Sequence, residues 1–214
     1  MLARPHDEAG RCDFPRAVVA VWDTSPVCLH LWGMVAEPFS SGAIPASTVA
    51  DAVAGDAVAF ARIVRAHHDD MVRVCHLICG DIELAQDAAQ SAWPIAWRKL
   101  ASLREPEKLR PWLVSVAANE ARQIVRRLRR DRIVAIEVAD VGSRDNDPAW
   151  RAADDDLVAA IRRLPADDRS LIALRYVAGF DATEIGRTLG LSPSGVRTRL
   201  SRLVARLRME VGDV

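Results

Sequence analysis

Through most of the chain, apolar positions recur at intervals of three and four, with polar residues between them. That period predicts helices, and strand signals are poor, so the chain reads as all-α. From Asp56, the run DAVAFARIVRAHHDDMVRVCHLICG keeps Phe60, Ile63, Val64, Met71, Val74, Cys75 and Ile78 on one face and stops near Gly80. Asp56 is placed to cap that helix. Thr48–Ala54 predicts a shorter helix in front of it, ended by Gly55-Asp56. Asp81 begins the next helix, DIELAQDAAQSAWPIAWRKL. Within it, Pro94 removes a backbone donor and crowds the carbonyl of Gln90, which predicts a kink. A loop, ASLREPEK, leads into LRPWLVSVAANEARQIVRRLRRDR. That helix has Trp112, Leu113, Val116, Ala117, Ile124 and Leu128 on its apolar side and a basic far end.

The period fails in two places. Residues 1–45 show no steady repeat, and the apolar run RAVVAVWD is interrupted by Asp23 and Pro26. This segment reads as a disordered or loosely attached extension, too short in its apolar run for a membrane span and without an assembled signal peptide. Met34 is a candidate start of translation. Residues 131–153 read as an acidic linker, with a short strand at Ile133–Val138 as the alternative reading. Helical period resumes with DDDLVAAIRRL, whose three acids suit a helix start. Pro165 then opens PADDRSLIALRYVAG, ending at Gly179.

The stretch from Leu164 to Arg208 carries the clearest local grammar. Asp181 caps a short helix, and Glu184 three residues on completes a capping-box spacing. Gly190 supplies the left-handed exit. Ser192 and Pro193 together mark the start of another helix. At 100° per residue, Val196, Leu200, Leu203 and Leu207 form a narrow apolar stripe. Ser194, Thr198, Ser201 and Arg202 lie opposite it, with Arg197 and Arg199 at the flanks. Short polar groups at the centre and guanidinium groups at the edges suit a helix laid in a DNA major groove. The expected organisation is thus an extension (1–45), a helical domain (46–130), an acidic linker (131–153) and a second helical domain (154–210). The second domain is a helix-turn-helix of the winged-helix-like type.

Charge sharpens this picture. The 214 residues sum to zero, yet residues 51–130 carry 13 basic and 10 acidic groups, and residues 157–214 carry 10 and 6. Between them, residues 131–156 carry 3 and 8. Two basic blocks across an acidic connector suggest two polyanion-binding domains on a tether. Four cysteines give no disulfide framework. Cys75 and Cys79 lie one helical turn apart and read as buried thiols, in keeping with a reducing, cytoplasmic location. His67, His68, Asp69 and Asp70 read as a solvated polar face. No metal-ligand set, Gly-rich phosphate loop or nucleophile elbow is present in the sequence, so an enzyme is a remote alternative and no cofactor is expected.

The chain resembles the extracytoplasmic-function group of bacterial RNA polymerase sigma factors. In the first half the resemblance rests on Asp87-x-x-Gln90, Trp112-Leu113, Asn119 and Arg126-Arg127. In the second it rests on Leu164-Pro165, Arg169, Leu174-Arg175-Tyr176, Glu184-Ile185 and the Ser192–Arg202 helix. The resemblance implies docking on the β′ and β subunits of core RNA polymerase, with Asp87 and Gln90 against a β′ coiled coil. It implies capture of the unpaired minus-ten strand of promoter DNA by the Ala101–Lys108 loop and by Asn119, Arg122, Arg126 and Arg127. It also implies readout of the minus-thirty-five element by Ser192, Ser194, Arg197, Thr198, Arg199, Ser201 and Arg202. An anti-sigma factor is an expected partner; membrane insertion is not. Trp112, on the apolar side of its helix, is assigned to the core rather than to base stacking. Trp93, Pro94 and Gly195 depart from the family pattern. The competing reading is a helix-turn-helix regulator that acts without joining polymerase.

Overall fold

Several helix boundaries are written in side chains within a few residues of them. In the computed structural model, which describes residues 44–136 and 155–211, Asp56 Oδ1 accepts from the N–H groups of Val58 (2.7 Å) and Ala59 (3.2 Å). Asp81 accepts from Leu84 N at 2.9 Å. These caps satisfy donors that a helix start leaves open. They set the starts of α2 (Ala57–Cys79) and α3 (Ile82–Lys99), which follow a short α1 (Ala46–Val53). Gly80 ends α2 with φ 77°, a left-handed value that favours glycine. Two 3₁₀ turns, Leu100–Ser102 and Pro106–Lys108, fill the loop before α4 (Leu109–Ile136). The chain is helical through 133–136, so the alternative of a strand from Ile133 does not hold there. The remainder of the acidic linker, most of the N-terminal extension, Met34, Cys12 and Cys28 lie outside the described residues.

Helices α2, α3 and α4 pack closely because α3 presents a stripe of small residues. Ala85, Ala88, Ala89, Ala92 and Ala96 are all fully buried. Trp93 fills the space beside them at 0% exposure, edge-on to Phe60 with ring centroids 5.8 Å apart. A buried indole needs an acceptor for its N–H. Trp93 Nε1 donates to His68 Nδ1 at 3.1 Å. Helix α3 continues through Pro94.

The histidine and aspartate run corrects the expectation of a solvated face at His67 and Asp70, while Asp69 is exposed. His67 and Asp70 are 4% and 6% exposed, and Asp70 pairs with Arg110 of α4 at 2.7 Å. A buried carboxylate requires such a partner. Burial lowers the pKa of both His67 and His68, against the raising effects of Asp70 and Asp69 respectively. The two thiols lie along α4, Cys75 Sγ donating to Ala117 O at 3.5 Å and Cys79 Sγ to Ala121 O at 4.0 Å. Burial pushes the Cys79 pKa up to about 12.

The second group comprises α5 (Asp155–Arg163), α6 (Ala166–Ile172), α7 (Ala182–Leu189) and α8 (Pro193–Val211). The single helix expected from Pro165 to Gly179 is instead α6 followed by a π turn, Ala173–Val177. Widening of this kind lets Ala178 donate to Ala173 O at 2.9 Å. Gly179 then turns the chain at φ 76°.

The two groups are in direct contact, which the image of two tethered domains did not anticipate. One continuous hydrophobic cluster runs from Val49 to Leu207. Arg169 of α6 reaches across to α2, donating Nε to Ile78 O (2.8 Å) and Nη2 to Cys79 O (3.4 Å). These carbonyls belong to the last turn of α2, where partners within the helix run out and a cation meets the negative end of the dipole. Arg110 adds a bond to Ala178 O at 3.4 Å.

Candidate nucleic-acid interface

The turn between α7 and α8 fixes the angle at which α8 is presented. Asp181 and Glu184 form a reciprocal capping box: Asp181 Oδ1 accepts from Glu184 N at 2.8 Å, and Glu184 Oε2 accepts from Asp181 N at 2.9 Å. The Glu184 N–H holds the Asp181 carboxyl below the usual carboxylate range. Gly190 leaves α7 at φ 71°, and Leu191 N donates back to Gly186 O at 2.9 Å. Gly186 itself has no room for a side chain, since a Cβ there would lie 2.6 Å from Leu191 O. Ser192 Oγ then accepts from Gly195 N at 3.1 Å and caps α8.

Val196, Leu200, Leu203 and Leu207 are buried, as their spacing predicts. Ser192, Ser194, Arg197, Thr198, Ser201 and Arg202 are exposed and share the outward side of α8. Arg199 does not join them. It turns toward α6 and is held by Asp168 Oδ1, 2.7 Å from Nε and 2.6 Å from Nη2.

A second cationic surface lies between α3 and α4. A groove of about 630 Å³ is lined by Ile95, Arg98, Lys99, Trp112, Ser115, Val116, Asn119, Glu120, Arg122, Gln123 and Arg126. It brings Asn119, Arg122 and Arg126 together, while Arg127 is exposed on the same helix outside the groove lining. Trp112 is half-buried and lines this groove, so its assignment to the core is only partly right. Four cations against one acid give the groove an excess of positive charge beside the Trp112 indole. Arg98 and Lys99 were missed in the sequence. Two adjacent cations in the last turn of a helix resemble dipole compensation, and nothing local points them toward α4.

Two of the groove cations are already engaged. Arg122 donates Nε (3.2 Å) and Nη2 (3.1 Å) to Asp167 Oδ1, and Arg126 Nη2 reaches the same oxygen at 3.4 Å. Burial opposes ionisation of Asp167, but the hydrogen bond and charge of Arg122 prevail and hold its carboxyl below the ordinary range. Asp87 and Gln90 are exposed together on α3, three residues apart. Among the described residues no group of His, Cys, Asp and Glu has the arrangement to hold a metal ion, and no helix is long and apolar enough to cross a membrane.

Comparison with known proteins places both surfaces within matched regions. Residues 63–131 match the family model for sigma-70 region 2, and residues 154–207 that for sigma-70 region 4; together the spans exceed half the chain. A probable RNA polymerase sigma factor, RfaY of Xanthomonas campestris, is 34% identical over 75% of this chain, which spans 42% of that protein's length. The RNA polymerase sigma factor CarQ of Myxococcus xanthus is 30% identical over 61% of this chain and 76% of its own length. The ECF RNA polymerase sigma factor SigM of Mycobacterium tuberculosis is 29% identical over 78% of this chain and 84% of its own length. In fold, the chain is similar to the sigma factor RpoE solved with the anti-sigma factor NepR from Bartonella quintana. The TM-score is 0.57 at 21% identity, covering 71% of this chain and 96% of that one. The chain belongs to the sigma-70 family of RNA polymerase sigma factors, in its extracytoplasmic-function group.

Proposed function

We propose that this chain binds core RNA polymerase, directs it to specific promoters and helps to melt them. The observation that carries this reading is the pair of separate cationic surfaces on one chain. A duplex element and a single-stranded element make different demands. The outward side of α8 offers short polar groups flanked by Arg197 and Arg202, which suits base edges and phosphates in a major groove. The groove along α4 offers cations and an indole, which suits an unpaired strand. In this reading α8 reads the minus-thirty-five element, and Asn119, Arg122 and Arg126 hold the minus-ten strand, with Arg127 on nearby phosphate. Asp87 and Gln90 dock on the β′ subunit, and the second domain contacts the β subunit. The protein works in the cytoplasm, and an anti-sigma factor controls it, by analogy with the complex of its structural neighbour.

A binding experiment separates this function from that of a regulator acting alone. Labelled genomic promoter fragments are incubated with the chain, with core polymerase, or with both. A specific complex that forms only with both supports the proposal. Tight, specific binding by the chain without core would favour the stand-alone regulator.

A further inference from the structure

Three consecutive residues at the start of α6 each engage a different part of the molecule. Asp167 takes Arg122 and Arg126 in the α4 groove. Asp168 takes Arg199 of α8. Arg169 takes the carbonyls of Ile78 and Cys79 that end α2. The second group of helices is therefore fastened to the first at the very cations assigned above to single-stranded DNA.

The nature of the contact argues for competition rather than for a purely structural role. The side chains of Asp167 and Arg126 are 48% and 56% exposed, so this ion pair is not part of the sealed core. Half-exposed ion pairs contribute little to stability and are screened by salt. A carboxylate and a phosphate oxygen present the same charge and the same acceptor chemistry to a guanidinium group. A strand carrying several phosphates across Arg98, Lys99, Arg122 and Arg126 releases several counterions and outweighs one carboxylate. Arg122 is only 13% exposed beneath Asp167, so a strand reaches it fully only once that carboxylate has moved away.

We propose that Asp167 is a built-in competitor for the minus-ten strand. In the free chain its carboxylate occupies Arg122 and Arg126, and strand capture requires α6 to withdraw from the groove. This inference rests on the assignment of the groove to single-stranded DNA.

The test titrates a fluorescent single-stranded oligonucleotide with the full chain, with Asp167→Asn, and with Glu120→Gln. Glu120 lines the groove too, so its loss removes the same charge without touching the contact between the helix groups. Asp167→Asn should bind about fivefold more tightly than wild type, the factor expected for a half-exposed carboxylate shared by two guanidinium groups, and Glu120→Gln clearly less so. Hydrogen exchange across α6 in the absence of DNA is the second readout and should be faster in Asp167→Asn. Equal gains in the two variants, no gain in Asp167→Asn, or unchanged exchange overturns the competition. Strand binding by none of the forms removes the groove assignment itself, and the competition with it.

Discussion

Gly186 shows how far one backbone position controls the placement of α8. Its Cα hydrogens are all that the approach of Leu191 O allows, so the turn brings the backbone after α7 too close for any side chain. Gly186→Ala should lower unfolding free energy by about 1–3 kcal/mol, the usual cost of overpacking. Urea titration of both proteins measures this, and an unchanged midpoint would show that the turn yields at no cost. Arg199 makes the opposite point. On a helical projection it sits at the flank of the apolar stripe, and projection alone left it with the DNA-facing set. Its partner, Asp168, lies 31 positions upstream, and no rule of local spacing connects the two.

At the scale of elements, what was legible in the sequence was what is decided locally. Asp56, Asp81, Asp181 with Glu184, and Ser192 cap their helices within three residues of themselves, and Gly80 and Gly190 end theirs. The all-α fold and the buried stripe of α8 follow from the same short-range periodicity. The burial of His67 and Asp70 and the partial burial of His68 were not legible, because Trp93 and Arg110 approach from other helices. That burial has a consequence in pH. Histidines whose folded pKa lies below the ordinary 6.5 take up fewer protons than in the unfolded chain. Stability therefore rises with pH across that interval, and it falls progressively as pH drops below about 6.5 toward the folded values. Thermal unfolding between about pH 7.5 and 5 should show a declining Tm. The decline should be smaller in His68→Gln, which keeps an acceptor for Trp93. A flat wild-type profile would contradict the buried, neutral histidines.

Taken whole, the molecule is two helical groups joined by a charged seam. Asp167 has a depressed pKa, so its contribution is complete above the unfolded carboxylate value of about 3.9 and is lost only as pH falls through its lower folded value. The Asp167 contact is thus insensitive to pH in the neutral range, and under the proposed competition a polyanion releases it. The alternation of basic and acidic blocks was legible and separates the two helical groups. Their direct packing was not, since it depends on Arg169 meeting the end of α2 and on a core shared by both groups.

The function stands or falls on transcription reconstituted in vitro with core polymerase from the same organism and genomic promoter fragments, with and without this chain. New start sites that depend on the chain are expected. Arg202→Ala should weaken use of the upstream element by about tenfold, as for loss of one base or phosphate contact, while leaving affinity for core unchanged. No chain-dependent start site, together with specific duplex binding by the chain alone, would contradict a role in initiation and identify a regulator that works apart from polymerase.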